Sequence, residues 1–138
     1  MKKGYKLIPR ELSIEYSAFE SGLDRFISLK KSGFYGKDAL LEWRDKGFAN
    51  TMATLEVHGV TDADARGSEP IYLGDALVGR ATSGGYGWRC DKSLALAMIQ
   101  PDLAEPGAEF EIVILGRRHK ATIIADSPFD PDNTALRS

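Results

Sequence analysis

From residue 50 onward the side chains alternate between polar and apolar with a period of two. Met52, Thr54 and Glu56 interleave with Ala53, Leu55 and Val57, and the second set is wholly apolar. That alternation predicts a half-buried strand. Pro70-Ile71-Tyr72-Leu73 and Ala76-Leu77-Val78 flank Gly74-Asp75, the composition of a tight hairpin turn. Ser93 to Ile99 is apolar enough for a buried strand, although its leucines and alanines equally suit a helix. Phe110 to Leu115 and Ala121 to Ala125 flank Gly116-Arg117-Arg118, which reads as a second hairpin. Several short strands joined by glycine-rich turns suggest a small antiparallel barrel or sandwich. Open strand edges would need covering, so the pattern favours closure. The fold class predicted is therefore mainly β, a small antiparallel β-barrel over residues 49–138.

Residues 1–48 have a different texture. Gly4 to Ile8 reads as extended chain, because Pro9 disfavours helix at Ile8. Ser17 and Glu20 have the spacing of a capping box ahead of a short helical turn over Ala18 to Gly22. Phe26, Ile27 and Leu29 form a run too short to assign to strand or helix. The clearest helix runs from Gly36 to Gly47. There Leu40, Leu41 and Trp43 or Arg44 fall near one face, Glu42 and Lys46 are spaced as an ion pair, and Gly47 sits at the C-cap position. This part is read as an α/β tail segment with one clear helix, a lid or connector. Pro128 to Asn133 is rich in proline and aspartate and is expected to cross the surface as irregular chain.

Composition narrows the class. The 138 residues are 43% hydrophobic and 28% charged, the balance of one ordinary globular domain. Eighteen basic against twenty acidic residues give a formal net charge of -2, which argues against nucleic acid or anionic membrane as a partner. No window approaches the roughly 18 apolar residues of a membrane span. Cys90 is the only cysteine, so an internal disulfide is excluded and a reducing cytoplasm fits. His58 and His119 are the only histidines, which leaves no zinc cage and no metal site to propose.

Candidate chemistry is sparse. Ser83-Gly84-Gly85-Tyr86-Gly87-Trp88 combines close-approach glycines with two flat rings, so it can be read as a loop touching a planar ligand. The structural alternative, a β-bulge or barrel corner with Tyr86 and Trp88 as lids on the core, is preferred on the residues alone. The spacing does not match a dinucleotide-binding loop. Arg117-Arg118-His119-Lys120 is either an anion contact or, more simply, a solvated hairpin tip. Glu11, Glu15, Glu20 and Asp24 lie near Arg10, Arg25 and Lys30 and are read as surface ion pairs. Cys90, beside Arg89, is read as structural or incidental. No catalytic residue is assigned.

Four stretches nevertheless resemble, in order and spacing, the C-terminal part of the glycine-cleavage T-protein (aminomethyltransferase) family. They are Lys3 to Lys6 with Arg10-Glu11-Leu12 and Phe19 to Phe26; Phe34 to Leu40; Gly79 to Gly87 with Lys92 to Ala97; and Pro128 to Asn133. The version fused to dimethylglycine and sarcosine dehydrogenases and oxidases is the most similar. The resemblance implies that residues 49–138 are the closing β-barrel of a three-domain unit and residues 1–48 the tail of its folate-binding region. It implies one-carbon transfer from a small methylated amine to tetrahydrofolate in the complete protein. The family's folate-clamping carboxylates and catalytic aspartate lie upstream of Met1, so the resemblance implies a segment inactive alone. At the first barrel strand this chain has Ala49, Asn50 and Thr51 where relatives tend to have two basic residues. Trp88 replaces a histidine. Tyr86, Trp88 and Asn133 are the residues expected in a folate pocket wall. The alternative is a non-catalytic module that docks on a separate catalytic subunit or self-associates.

Overall fold

The computed structural model describes residues 1–137, the Leu136 side chain excepted. Its centre is a closed barrel of six antiparallel strands. They are β1 (Thr51–Val57), β2 (Pro70–Leu73), β3 (Ala76–Gly87), β4 (Lys92–Ile99), β5 (Glu109–Ile114) and β6 (Arg117–Ile124). Around the barrel the order is β1-β4-β3-β2-β5-β6, with β6 returning to β1. The sequence expectation of a small closed β-barrel is met.

The inner face follows the alternation read from the chain. Ala53, Leu55 and Val57 of β1 point inward with Ala95, Ala97 and Ile99 of β4, Phe110, Ile112 and Ile114 of β5, and Ala121 and Ile123 of β6. Alanines opposite isoleucines suit the narrow bore of a small barrel. Each of the larger side chains, such as the fully buried Leu55 and Ile112, contributes about 1.5–3 kcal/mol by leaving water.

β4 resolves the helix-or-strand ambiguity as strand, and it is buried on both faces from Ser93 to Ile99. Leu94, Leu96 and Met98 are almost wholly buried yet lie outside the inner cluster. The N-terminal segment is held at the two strands that flank β4. Met1 packs on Gly85, Glu11 hydrogen-bonds Ser83, and the Met52 N–H donates to the Glu20 carbonyl. An all-apolar strand is what such two-sided burial requires.

Several expectations need correction. The turn of the second hairpin is Leu115-Gly116, and Arg117 to Lys120 lie on β6 rather than at a solvated tip. A strand places alternate residues on opposite faces, so Arg118 lies along the outer wall. It donates to Glu111 and covers the Tyr72 ring at 4.8 Å. Phe26 and Ile27 belong to neither strand nor α-helix; Asp24–Phe26 is one 3-10 turn, and Phe26 is 70% exposed. Tyr86 and Trp88 are not lids on the core. Ser83 to Gly87 continues β3 past an irregularity between Ala81 and Ser83, and Trp88 begins the tip of the β3–β4 hairpin, 86% exposed. The bulge expected there is present beside Thr82.

The helix α1 (Lys37–Lys46) spans nearly the predicted residues, ends on Gly47, and carries the Lys46–Glu42 ion pair at 2.6 Å. None of its residues is buried. Among the described residues no strand precedes Thr51. After β6 the chain is irregular to Asn133, then forms the single turn α2 (Thr134–Arg137).

Candidate functional site

The carboxylates read as surface ion pairs divide into two kinds. Glu15 is an exposed partner of Arg80 at 2.5 Å. Glu11 and Glu20 are instead buried, with 0% and 4% exposure, and neither has a cationic partner among the described residues. Glu20 accepts from the Ser17 N–H at 2.9 Å, while the Glu20 N–H donates to Ser17 Oγ at 3.2 Å. This is the reciprocal capping box of the sequence reading. Its second oxygen takes the Asn50 N–H at 3.2 Å and so fixes the entry to β1.

Glu11 is the clasp of the N-terminal segment. One oxygen accepts the Leu7 N–H at 2.8 Å and the other accepts the Ser83 hydroxyl at 2.5 Å. Burial pushes this carboxyl up, but the donors from Ser83 and Leu7 outweigh burial and hold it below the ordinary 4.5. It is therefore an anion, held by hydrogen bonds. Ser21 Oγ adds a bond to the Glu11 carbonyl at 2.8 Å.

With that segment pinned, Lys3 to Lys6 runs beside the chain that leaves β6. Gly4 has φ +65, and a Cβ there would sit 2.5 Å from the Asp126 carbonyl oxygen, so only glycine allows the approach. Lys3 Nζ donates to Asp130 at 2.8 Å, and Lys6 Nζ donates to Asp126 at 3.0 Å. Thr54 Oγ1 of β1 holds the other Asp126 oxygen at 3.1 Å. Hydrogen bonds from Lys3 and Thr134 draw the Asp130 carboxyl down from 3.8 to about 2.

These contacts frame a cleft of about 430 Å³. One wall is Lys3 to Lys6, the second is Leu12 with Gly22, Leu23, Arg25 and Phe26, and the third is Asp126, Ser127, Pro131 and Asn133. Tyr5 and Phe26 offer rings that are 61% and 70% exposed. Lys6 and Arg25 add positive charge beside them. Flat apolar surface next to cations, with an amide at Asn133, suits a planar ligand that carries acidic groups. The volume lies within the range of small-molecule sites, but the cleft is open on one side.

The structure brings Tyr86 and Trp88 together but places them away from Asn133. Their rings meet edge to face with centroids 4.9 Å apart. They border a separate cavity of about 330 Å³ with Val60 to Asp64. Tyr86 donates to the Asp91 carboxylate, which raises the phenol above its ordinary 10.0. Cys90 lies in the same hairpin tip, half-buried, 2.8 Å from where a Cβ on Gly87 would stand. Among the described residues no three His, Cys, Asp or Glu side chains are grouped as a metal site. Among them, too, no helix is long and apolar enough to cross a membrane. Sequence reasoning missed Tyr5, Lys6, Arg25 and Phe26 as one surface, because roughly a hundred residues or more separate them from the third wall. Only their membership in the quoted stretches pointed to them.

Comparison with known proteins gives the family and the fold. Residues 50–130 match the family described as the glycine cleavage T-protein C-terminal barrel domain. The chain is 33% identical over 127 residues to mitochondrial dimethylglycine dehydrogenase of Rattus norvegicus, covering 91% of this chain and 15% of that protein. It is 32% identical over 118 residues to an aminomethyltransferase of Desulfitobacterium hafniense, covering 86% of this chain and 32% of that protein. The fold superposes on the glycine cleavage system aminomethyltransferase T of Bartonella henselae with a TM-score of 0.83 at 21% identity, over 94% of this chain and 36% of the other. The chain thus spans about a third or less of the length of these relatives.

Proposed function

Since the chain belongs to the glycine cleavage T-protein C-terminal barrel family, we propose that it is the C-terminal segment of a protein that transfers a one-carbon unit from a small amine to tetrahydrofolate. In this reading residues 1–48 are the end of the folate-binding region and residues 49–138 the closing barrel. Dimethylglycine and sarcosine are the amines proposed, because dimethylglycine dehydrogenases are among the relatives. A reducing cytoplasmic setting is proposed on the single Cys90.

One observation carries the reading. Two stretches that resemble the family, at opposite ends of the chain, converge on one open cleft: the first supplies two of its walls, and the last, with Asp126 and Ser127, the third. Tyr5 and Phe26 would lie against the flat part of the folate, and Lys6 and Arg25 would hold its acidic part. Asn133 would offer its amide. Tyr86 and Trp88 border a different cavity and are given no part in this wall. Tetrahydrofolate supplies the nucleophilic nitrogen that accepts the one-carbon unit. The role of this chain is to orient that acceptor and exclude water, which in such transfers contributes much of the rate. A wall open on one side needs a second wall, so the isolated chain is inactive. The test is formation of methylenetetrahydrofolate from tetrahydrofolate and dimethylglycine or sarcosine with a two-electron acceptor supplied, since raising the N-methyl group to the methylene level removes two electrons. The expected result is none with the 138-residue chain, and turnover by that chain would overturn the reading.

The second reading, a docking module, is favoured by where apolar side chains are exposed. Among the described residues six of the nine large apolar side chains more than half exposed, Tyr5, Leu7, Ile8, Ile14, Phe26 and Tyr35, belong to residues 1–48, the others being Leu77, Trp88 and Leu115. Such a concentration marks an interface more often than a bare surface. Sedimentation separates the two: a clean monomer with no partner-dependent shift argues against docking and self-association.

A further inference from the structure

Between the N-terminal segment, the loop before β2 and the outer face of β3 lies a polar cleft of about 360 Å³, apart from the site described above. Arg10, Arg66 and Arg80 line it with Ser13, Ser68 and Glu15. Guanidinium groups brought near one another repel unless anions offset them. Among the described residues only Arg80 has such a partner, Glu15 at 2.5 Å. Arg10 donates Nη1 to the Arg66 carbonyl and, at 3.5 Å, to the Thr82 carbonyl, which are dipoles and not charges. Among the described residues the Arg66 side chain has no ion-pair partner. The nearby Glu69 carboxylate is turned away to the Arg66 and Gly67 N–H groups at 2.8 and 2.7 Å. The cleft is thus lined by three arginines and one carboxylate, with two serines beside them.

We propose that this cleft binds a small dianionic oxyanion, a phosphate or a dicarboxylate, with Arg10 and Arg66 as its principal partners and the Ser13 and Ser68 hydroxyls as further donors. Guanidinium groups present forked N–H pairs that match both chemistries. Glu15 sets the specificity, since it opposes any anion that reaches as far as Arg80.

The experiment is calorimetric titration of the full 138-residue chain with inorganic phosphate in one arm and glutarate in the other, at constant ionic strength. Saturable binding in either arm supports the proposal, and the stronger arm names the source. Arg66→Met removes an exposed side chain without a packed partner, so the fold is retained, and it should weaken binding about tenfold. Glu15→Gln should tighten it a few-fold, which a merely structural role for these residues would not produce. Absence of saturable binding to the wild type in both arms overturns the proposal. So does binding that Arg66→Met leaves unchanged, or a signal that chloride at equal ionic strength abolishes.

Discussion

Replacing Glu11 by glutamine tests whether the N-terminal segment is held on the barrel by an anion. The substitution keeps size and removes the charge; its single amide oxygen can still accept the Leu7 N–H, while the Ser83 hydroxyl must turn to accept from the amide NH2. Two bonds are affected, from the Leu7 N–H and the Ser83 hydroxyl. A hydrogen bond to a charged group contributes about 1.5–3 kcal/mol against about 0.5–1.5 for a neutral one, so the two together lose about 2 kcal/mol. Glu11→Ala should cost about 2–4 kcal/mol, because it also leaves the buried Ser83 hydroxyl unsatisfied. Urea unfolding measures the loss, and proteolysis within residues 1–23 reports whether the segment has loosened. The pH dependence supplies an independent check. The folded carboxyl titrates below its ordinary 4.5, so its contribution is present above that pH and is lost as pH falls through the folded value. The gap between wild type and Glu11→Gln should therefore narrow as pH falls below 4.5. A gap under about 0.5 kcal/mol at neutral pH, with the segment still protected, would refute the account.

Other outcomes follow from the same contacts. Gly4→Ala forces a Cβ to 2.5 Å from the Asp126 carbonyl at φ +65, and should lower Tm by several degrees in a thermal melt. Gly84→Ala drives a Cβ to 2.3 Å from the Ala65 carbonyl oxygen and 2.8 Å from its Cβ and should be more damaging, since Ala65 is packed in the barrel core; circular dichroism of the refolded variant checks it. Asp130→Asn removes a carboxyl that titrates at about 2 in place of 3.8, so the wild type should lose stability between those pH values and the variant should not. Acid titration followed by tryptophan fluorescence distinguishes them. Ile112→Ala opens a cavity in the barrel and should cost about 2–5 kcal/mol in urea unfolding.

The barrel was legible because its inner face is set by alternation, a property of neighbouring residues. β1 and β5 read correctly for that reason, and the Gly74-Asp75 turn needed only local chemistry. β4 did not read cleanly, because burial on both faces erases the polar half of the pattern. The basic run on β6 was misplaced by two residues: Arg117 and Arg118 look like turn residues until the pairing Val113↔Arg118 puts them on a strand. Glu11 and Glu20 were misread because a carboxylate in sequence looks solvated. Their burial comes from tertiary wrapping, and for Glu20 alone the Ser17 spacing gave a local sign of it.

The same wrapping explains why the candidate cleft was opaque to periodicity. Its walls are not faces of one element but three crossings of irregular chain, brought together by Glu11, by Gly4 and by the Lys3–Asp130 and Lys6–Asp126 pairs. These anchors serve the barrel as well, since the segment they hold is tied to β3 at Ser83 and to β1 at Met52, the strands on either side of β4. Anchoring of the segment on the barrel and shaping of the cleft are thus one arrangement. A residue such as Glu11, which does not itself line the cleft, controls its geometry through where the N-terminal segment lies. That coupling gives a physical reason for stretches scattered over the chain to occur together: each supplies either a wall or the clasp that positions one.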